Sequence, residues 1–377
     1  MNSNPNQKVK SAVHFDLNIP SPSDGGSEET LIVNQKQLER FTSSIKERKR
    51  NLSKVEEILA EWKLAVIEEV GETNWKKFLE FSKNQRKTNF GLEEITFDPD
   101  GLEKLDQAKR FAREKSQDLF KEANFEPGSL KTIHRRYTKQ LDDLLKPEKP
   151  KVQRLEMVPE NQIPEDVFSG KSNPWTIRTP PYDGWAWSYS WTRVGGSDPG
   201  LTNYLNVATG SVGHRSNYQN YDAGDLDYLW LDFNTNIGVW YWPPHAGQVD
   251  IWIKARCVKS WYNVWLDDEW GWSDSDTWMR GHITVNVSPA IADREISEIW
   301  WSHTWGNPDS KTYGGEVIKS NDVKWFHLIA TDPIPANAWT YIKVGTYDMH
   351  RSFLNDVSVN TTMRDWWYLE GLWIDVR

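Results

Sequence analysis

The 377-residue chain contains one cysteine, Cys257. A single thiol cannot form an internal disulfide, so the class of small proteins held together by a disulfide framework is excluded. No stretch approaches the ~18 consecutive apolar residues that a transmembrane helix requires, and the N-terminal sequence MNSNPNQKVK lacks the apolar core of a secretory signal peptide. We therefore expect synthesis in the cytosol, with any release depending on lysis or on a dedicated export machine.

The motifs of common enzyme classes are also missing. None of the eight histidines stands in an HExxH or a Cys/His zinc spacing. There is no nucleophile elbow, P-loop or dinucleotide fingerprint, and Gly195-Gly196 and Gly314-Gly315 are typical of turns. A glycoside hydrolase would need two carboxylates ~5–9 Å apart, which a sequence alone cannot place. The glutamates available for such a pair are Glu269, Glu295, Glu298, Glu316 and Glu370.

Charge is distributed unevenly along the chain. Up to residue 150 there are 27 basic and 26 acidic residues, whereas the remainder has 18 basic against 28 acidic residues and a net charge of −10. An acidic second half repels phosphate backbones, so nucleic acid is not an expected partner. The length favours two or three domains.

Residues 1–30 form a polar arm with one ordered feature. Apolar residues alternate with polar ones over residues 9–19, as in a β-strand, and the pattern ends at Pro20. A strand that precedes helices has no neighbouring strand in sequence, so its backbone must pair with a distant sheet edge. That edge belongs either to this chain's own β module or to a second copy, in which case the arm would link copies.

Residues 31–146 carry helical periodicity. A seven-residue repeat continues for about four heptads and ends near Gly71, which predicts a helix about 50 Å long. Its apolar members are Leu38, Phe41, Ile45, Leu52, Val55, Leu59, Trp62 and Val66. Three shorter amphipathic helices are predicted to follow, the last opened by Pro127-Gly128-Ser129. The pattern indicates a helical bundle within one chain or a coiled coil between chains, and the proline-rich residues 147–173 are interpreted as a linker.

Residues 174–377 return to strand periodicity. About ten short strands separated by glycine and proline turns, without helical periodicity, predict an antiparallel β-sandwich of jelly-roll type. The fold class is therefore α+β and multidomain. Of the 23 tryptophans, all except Trp62 and Trp75 lie in this module, and most are expected in its core.

Some tryptophans exceed what one sheet face can bury. Adjacent aromatics, as in Trp240-Tyr241-Trp242, must point to opposite faces, and Trp252 is out of phase with its apolar neighbours. Exposed flat rings bind the C–H faces of sugars and the surfaces of proteins. The candidate ligand-binding residues are Trp240, Trp242, Trp252, Trp270, Trp272, Trp301 and Trp366.

A dense acidic loop lies between two predicted strands. Its carboxylates supply the oxygen ligands that Ca²⁺ prefers, although their spacing does not match an EF-hand, and acids at a hairpin tip also keep a sheet edge from pairing. The candidate ligands are Asp267, Asp268, Glu269, Asp274 and Asp276. No other cofactor is expected.

The leading functional hypothesis is a non-enzymatic, lectin-like binding and assembly protein. Its tryptophan-rich sandwich would recognise a glycan or a protein surface, while its helical module and arm would form a homo-oligomer. The alternatives are a protein toxin or injected effector with a target-binding sandwich, and a glycoside hydrolase.

Overall fold

The structure is a computed structural model of the chain. It describes residues 10–18, 50–51, 53–78, 80, 127–145, 155–169, 174–194, 196–220, 226–268, 275–288, 295–306, 311–355 and 357–377, with a few positions between 114 and 122. For β-strand residues 10–18 and 295–306 only the backbone is described. No helix among these residues is long and apolar enough to cross a membrane.

The described residues contain fourteen β-strands. In chain order they are β1 Lys10–Asn18, β2 Glu156–Val158, β3 Thr176–Arg178, β4 Gly184–Val194, β5 Gly200–Asn203, β6 Ser211–Asn220, β7 Leu226–Tyr241, β8 Val249–Asp268, β9 Ser275–Ser288, β10 Glu295–Gly306, β11 Lys311–Ile318, β12 Val323–Ile329, β13 Thr340–Asn355 and β14 Val357–Val376. All of their pairings are antiparallel.

The strands form two sheets. One has the order β1-β4-β7-β13-β9-β10, and the other has the order β2-β12-β8-β14-β6-β5, with β11 and β3 added beside β8 and β14. Successive strands from β6 to β9 alternate between the two sheets. The predicted antiparallel sandwich is thereby confirmed, with more strands than the sequence pattern indicated.

Alternation along each strand builds the core. On β14, residues 359, 361, 363, 365, 367 and 369 are buried, whereas the residues between them are only partly buried. The buried side chains point toward the six-stranded sheet. The partly buried side chains form the outer face of the eight-stranded sheet. Cys257 is buried in the larger core cluster, as expected for a small apolar side chain.

The N-terminal strand pairs within its own chain. β1 lies antiparallel to β4, with Lys10 opposite Arg193 and Asn18 opposite Trp185. β4 therefore has a partner on each side and is not a sheet edge. Of the two pairings expected for the arm, with its own β module or with a second copy, the structure has the pairing within one chain.

Deleting residues 1–19 should expose β4 as a sheet edge. The β4 amides that point toward β1 would lose their hydrogen-bond partners, so their hydrogen exchange should accelerate while exchange in β13 stays slow. Exchange measured by mass spectrometry on the intact protein and the deletion variant checks this. Unchanged exchange in β4 would mean that β1 does not occupy this edge in solution.

The described helices include α1 (residues 53–70), α2 (residues 72–78), α3 (Pro127–Leu145) and the short α4 (Glu165–Phe168), with further helical positions between 114 and 122 and a 3-10 helix at Glu160–Gln162. Gly71 has a φ of 79°, the left-handed conformation with which helices commonly end, as its position predicted. The heptad members before residue 50 lie outside the described residues.

Helices α1, α2 and α3 pack against the outer face of the six-stranded sheet, whereas Val167 of α4 packs on the eight-stranded sheet. Trp62 and Val66 of α1 and Leu141 of α3 share one apolar cluster with Tyr228 of β7 and Trp278 of β9. Since residue 229 points into the sandwich, its neighbour Tyr228 is free to meet the helices on the other side. The sheet is thus apolar on both faces here, which explains why strand β7 does not show a clean apolar–polar alternation.

Candidate ligand-binding surfaces

Three tryptophans meet at one end of the six-stranded sheet, where β7 ends and β13 begins. The ring centroid of Trp339 lies 6.1 Å from that of Trp240 and 5.0 Å from that of Trp242, with interplanar angles of 78° and 72°. The Trp242 side chain is 47% exposed. We call Trp240, Trp242 and Trp339 the end cluster; its rings stand edge to face and form a corner open to solvent.

Backbone contacts and a buried tyrosine fix this corner. The Trp240 N–H donates to Asp183 Oδ2 at 2.9 Å, and Arg178 Nη2 donates to the Trp240 carbonyl oxygen at 3.3 Å. The ring of Tyr341, which is buried, lies 4.7 Å from that of Trp240. Burial raises the pKa of the Tyr341 hydroxyl, so this group stays protonated at physiological pH. The corner is therefore preformed before any ligand arrives.

A second aromatic surface lies on the outer face of the eight-stranded sheet. The Tyr204 and Trp366 rings stack with centroids 4.7 Å apart, and Tyr368 lies edge-on to Trp366 at 6.0 Å. Trp366 Nε1 donates to Ser211 Oγ at 2.8 Å, which fixes the indole. All three rings are partly exposed. We call Tyr204, Trp366 and Tyr368 the face cluster.

Polar side chains continue the same face along β14. Thr362 Oγ1 donates to Asn217 Oδ1 at 3.2 Å, one strand away on β6. Glu370 lies 3.4 Å from Lys254 Nζ and also pairs with Arg256. Aromatic, amide, hydroxyl and charged groups therefore share one open surface, which is the composition that small-ligand recognition requires.

Trp252 does not lie on an open surface. It points to the outer face of the eight-stranded sheet, but it is only 5% exposed because Val158, Ile163, Val167, Trp175 and Ile177 pack against it. Its ring stacks on His327 at 4.1 Å, and His327 Nε2 lies 2.8 Å from Asp250 Oδ1. Trp175, Trp325 and Trp373 complete this covered cluster. Part of the segment interpreted as a linker therefore serves as a cover, and its strand β2 pairs with β12.

The other candidate residues fall at the margins of the described chain. Trp301 lies in β10 opposite Arg280 of β9, with its side chain undescribed. Trp270 and Trp272 lie outside the described residues, as do the proposed calcium ligands Glu269 and Asp274. For the calcium ligands Asp267 and Asp268 of β8 and Asp276 of β9, only the backbone is described. The calcium site stays a prediction; elsewhere in the described chain no group of three His, Cys, Asp or Glu residues is placed to hold a metal.

Of the five glutamates considered for hydrolysis, the structure describes the side chains of Glu316 and Glu370. Glu316 Oε1 accepts hydrogen bonds from the Ser320 hydroxyl at 2.8 Å and the Ser320 N–H at 3.0 Å, and these bonds lower the pKa of Glu316. A glycosidase acid requires a raised pKa. Glu370 is held by two cations. The side chains of Glu269, Glu295 and Glu298 lie outside the described residues.

A layer of polar side chains lies between the sheets, in the middle of the sandwich. His214 Nδ1 is 2.8 Å from Asp348 Oδ2, and both side chains are buried. Asp348 Oδ1 accepts the His282 N–H at 3.1 Å, and Asp365 Oδ1 accepts Trp367 Nε1 at 2.7 Å. Burial raises the pKa of both aspartates, and each carboxyl interacts with the other. The described side chains of this layer are buried between the sheets, where they contact one another rather than solvent.

His350 belongs to the same layer and predicts a pH effect. Burial lowers its pKa from 6.5 to about 3, and its ring bonds Thr361 Oγ1 at 2.8 Å and Ser216 Oγ at 3.3 Å. The stability from neutral His350 is therefore complete above pH 6.5 and is lost as the pH falls, because only the unfolded chain takes up the proton. As the pH falls from 6 to 4, the free energy of unfolding of the wild-type protein should decrease relative to that of the His350→Gln variant by about 1.4 kcal/mol per pH unit. Urea denaturation at several pH values measures this, and a constant difference would contradict it.

Comparison with known proteins gives weak structural neighbours. No family model and no curated protein sequence matches the chain. A structure titled TmCBM61 in complex with β-1,4-galactotriose matches with a TM-score of 0.13 and 10% identity, over 52% of this chain and 94% of that chain. The enzymatically active domain of tailspike protein 4 from bacteriophage CBA120 matches with a TM-score of 0.12 and 11% identity, over 52% and 20% of the two chains. A CBM4 structure matches with a TM-score of 0.09 and 11% identity, over 45% and 85%.

Proposed function

We propose that the protein is a non-enzymatic binding protein whose jelly-roll sandwich holds a neutral saccharide in the end cluster. The observation that carries this proposal is the corner made by Trp339 with Trp240 and Trp242, with interplanar angles of 78° and 72°. Two rings nearly perpendicular to a third can contact a sugar ring on two sides. Aromatic rings offer apolar area to sugar C–H groups at a small cost in conformational entropy.

The size of the end cluster favours a saccharide over a protein surface. A stable protein interface buries ~800 Å² on each partner, whereas the end cluster consists of three rings of which Trp242 is the most exposed. Polar groups border it, because Asp183 and Arg178 both contact the Trp240 backbone and are exposed. A rigid aromatic corner with a few bordering polar groups suits a small, partly apolar ligand.

A glycan array probed with the intact protein tests this proposal. We expect binding to neutral oligosaccharides, and Trp242→Ala should abolish it by removing one wall of the corner. Val323→Ser is the matched control, because it removes an exposed apolar side chain from β12 without touching the end cluster. Retained binding by Trp242→Ala would contradict the proposed site, and absence of binding by the intact protein would contradict the function.

We further propose that the helical module joins copies of the chain. Leu64 supports this, because this apolar side chain of α1 is 61% exposed while Trp62 and Val66 are buried in the intrachain cluster. The mass of the intact protein measured by light scattering should exceed the monomer mass of 44.0 kDa. The Leu64→Ser variant should have a mass closer to that of the monomer. A monomeric wild-type protein would contradict the assembly role and leave the binding role intact.

A further inference from the structure

Two arginines stand directly opposite each other on the outer face of the eight-stranded sheet. Arg364 of β14 is the register partner of Arg215 of β6. Both side chains are partly buried and point away from the core, because the neighbouring residues on each strand point inward. Directly opposed residues of antiparallel strands have Cβ atoms ~4.5–5.5 Å apart, and like charges in such pairs are destabilising. A sheet does not gain stability from this arrangement.

Nearby acids do not compensate this pair. Within the described residues, no ion pair joins Arg215 or Arg364 to a carboxylate. Two glutamates share the outer face, but Glu370 is engaged by Lys254 and Arg256. Glu316 accepts bonds from Ser320 and lies 3.9 Å from Lys259 Nζ. Two adjacent guanidinium groups therefore present donors that the described protein does not use.

The groups around the arginine pair suit a sugar. The Arg364 guanidinium lies 5.9 Å from the centre of the Tyr204 ring, which stacks on Trp366. On the side of Arg364 away from Trp366, Thr362 is the next outward residue of β14, and it forms the polar pair with Asn217 of β6 that is described above. Outward side chains on one strand repeat every ~6.8 Å, so aromatic, cationic and hydroxyl or amide positions follow one another across a distance comparable with a short oligosaccharide.

We propose that this face is a second binding site, selective for a saccharide that carries a carboxylate. The carboxylate lies between Arg215 and Arg364, where guanidinium groups can bind it with paired N–H···O bonds. The sugar ring contacts the face cluster, and its hydroxyls reach Thr362 and Asn217. The net charge of −10 in the second half of the chain opposes densely charged polyanions such as nucleic acids, so an isolated carboxylate is the better match.

Calorimetric titration of the intact protein with matched ligands tests this site. The pairs are galacturonic acid beside its methyl ester, and sialyllactose beside its methyl ester, so that each pair differs mainly in carboxylate charge. At least one carboxylated ligand should bind about tenfold or more tightly than its neutral partner. Arg364→Ala should remove that preference, and Arg364→Lys should keep part of it, because lysine retains the charge without the paired geometry.

Arg256→Ala is the matched control, because it removes the same charge from the same face at a residue already paired with Glu370. It should leave the preference within about twofold. Independently, Arg215→Thr should raise Tm by about 1–2 °C at low salt, since it relieves the like-charge pair. Trp242→Ala should leave the affinity for the carboxylated ligand within about twofold while it abolishes neutral binding, which separates this site from the end cluster.

Several results would overturn the proposal. They are equal affinity for the charged and neutral members of both pairs, failure of every carboxylated ligand to bind, and an Arg364→Ala variant that keeps the preference. Single-stranded DNA binding as tightly as the carboxylated saccharide would indicate a general anion patch and would also contradict it. None of these results bears on neutral saccharide binding at the end cluster.

Discussion

Replacing Asp348 with alanine should lower the free energy of unfolding by about 3–5 kcal/mol. The Asp348 carboxyl accepts the His282 N–H, lies 2.8 Å from His214 Nδ1 and interacts with Asp365, all at buried positions. Alanine leaves these polar groups buried without their partner. The substitution also opens a cavity. The polar layer lies between two packed apolar clusters of the core, which limit how far the sheets can relax into the space.

Urea denaturation at pH 7, followed by tryptophan fluorescence, measures this loss. Asp348→Asn is the control, since it keeps an acceptor for the backbone N–H of His282 and nearly the same volume while it removes the titratable carboxyl group. It should cost clearly less than Asp348→Ala. A loss below about 1 kcal/mol for Asp348→Ala, typical of an exposed position, would show that the polar layer is not a structural unit.

Replacing Trp339 with alanine should weaken neutral saccharide binding by about 2 kcal/mol, roughly 30-fold. Trp339 contacts both other rings of the end cluster, so its loss removes one wall and frees Trp242 to move. The fold should persist, because Trp339 is partly exposed and precedes β13 rather than lying in the core. Titration calorimetry gives the affinity, and far-ultraviolet circular dichroism reports the fold.

Trp366→Ala is the control for this experiment. It removes the same residue type from another partly exposed surface, the face cluster, and should leave neutral binding within about twofold. If Trp339→Ala keeps the wild-type affinity while Trp366→Ala loses it, the neutral site lies on the open sheet face rather than at the end of the sheet.

Local sequence pattern was sufficient to predict the sandwich and part of its surface. Alternation along β8 and β14 predicted strands, and the adjacent aromatics around Tyr241 placed Trp240 and Trp242 together on the face opposite Tyr241. Gly71 predicted the end of α1. These inferences succeeded because each depends on neighbouring residues, whose side chains follow the local backbone geometry.

Long-range contacts could not be predicted in the same way. Trp339 stands apart from other tryptophans in sequence, so its place in the end cluster became visible only when β13 paired with β7. His214 and Asp348 are 134 residues apart and each looks like an ordinary polar residue in a strand. Trp252 was predicted to be out of phase with its apolar neighbours and to bind a ligand, but the earlier residues that pack over it, such as Val167 and Trp175, are far from it in the chain.

Nuclear magnetic resonance of the intact protein with ¹⁵N-labelled tryptophan tests most directly whether a saccharide binds in the end cluster. The indole N–H signals are assigned by single Trp→Phe variants and followed during titration with the best neutral oligosaccharide from the array. The signals of Trp242 and Trp339 should shift and saturate, while those of the covered Trp325 and Trp373 should stay unchanged. Saturable shifts confined to other indoles would contradict a saccharide site in the end cluster.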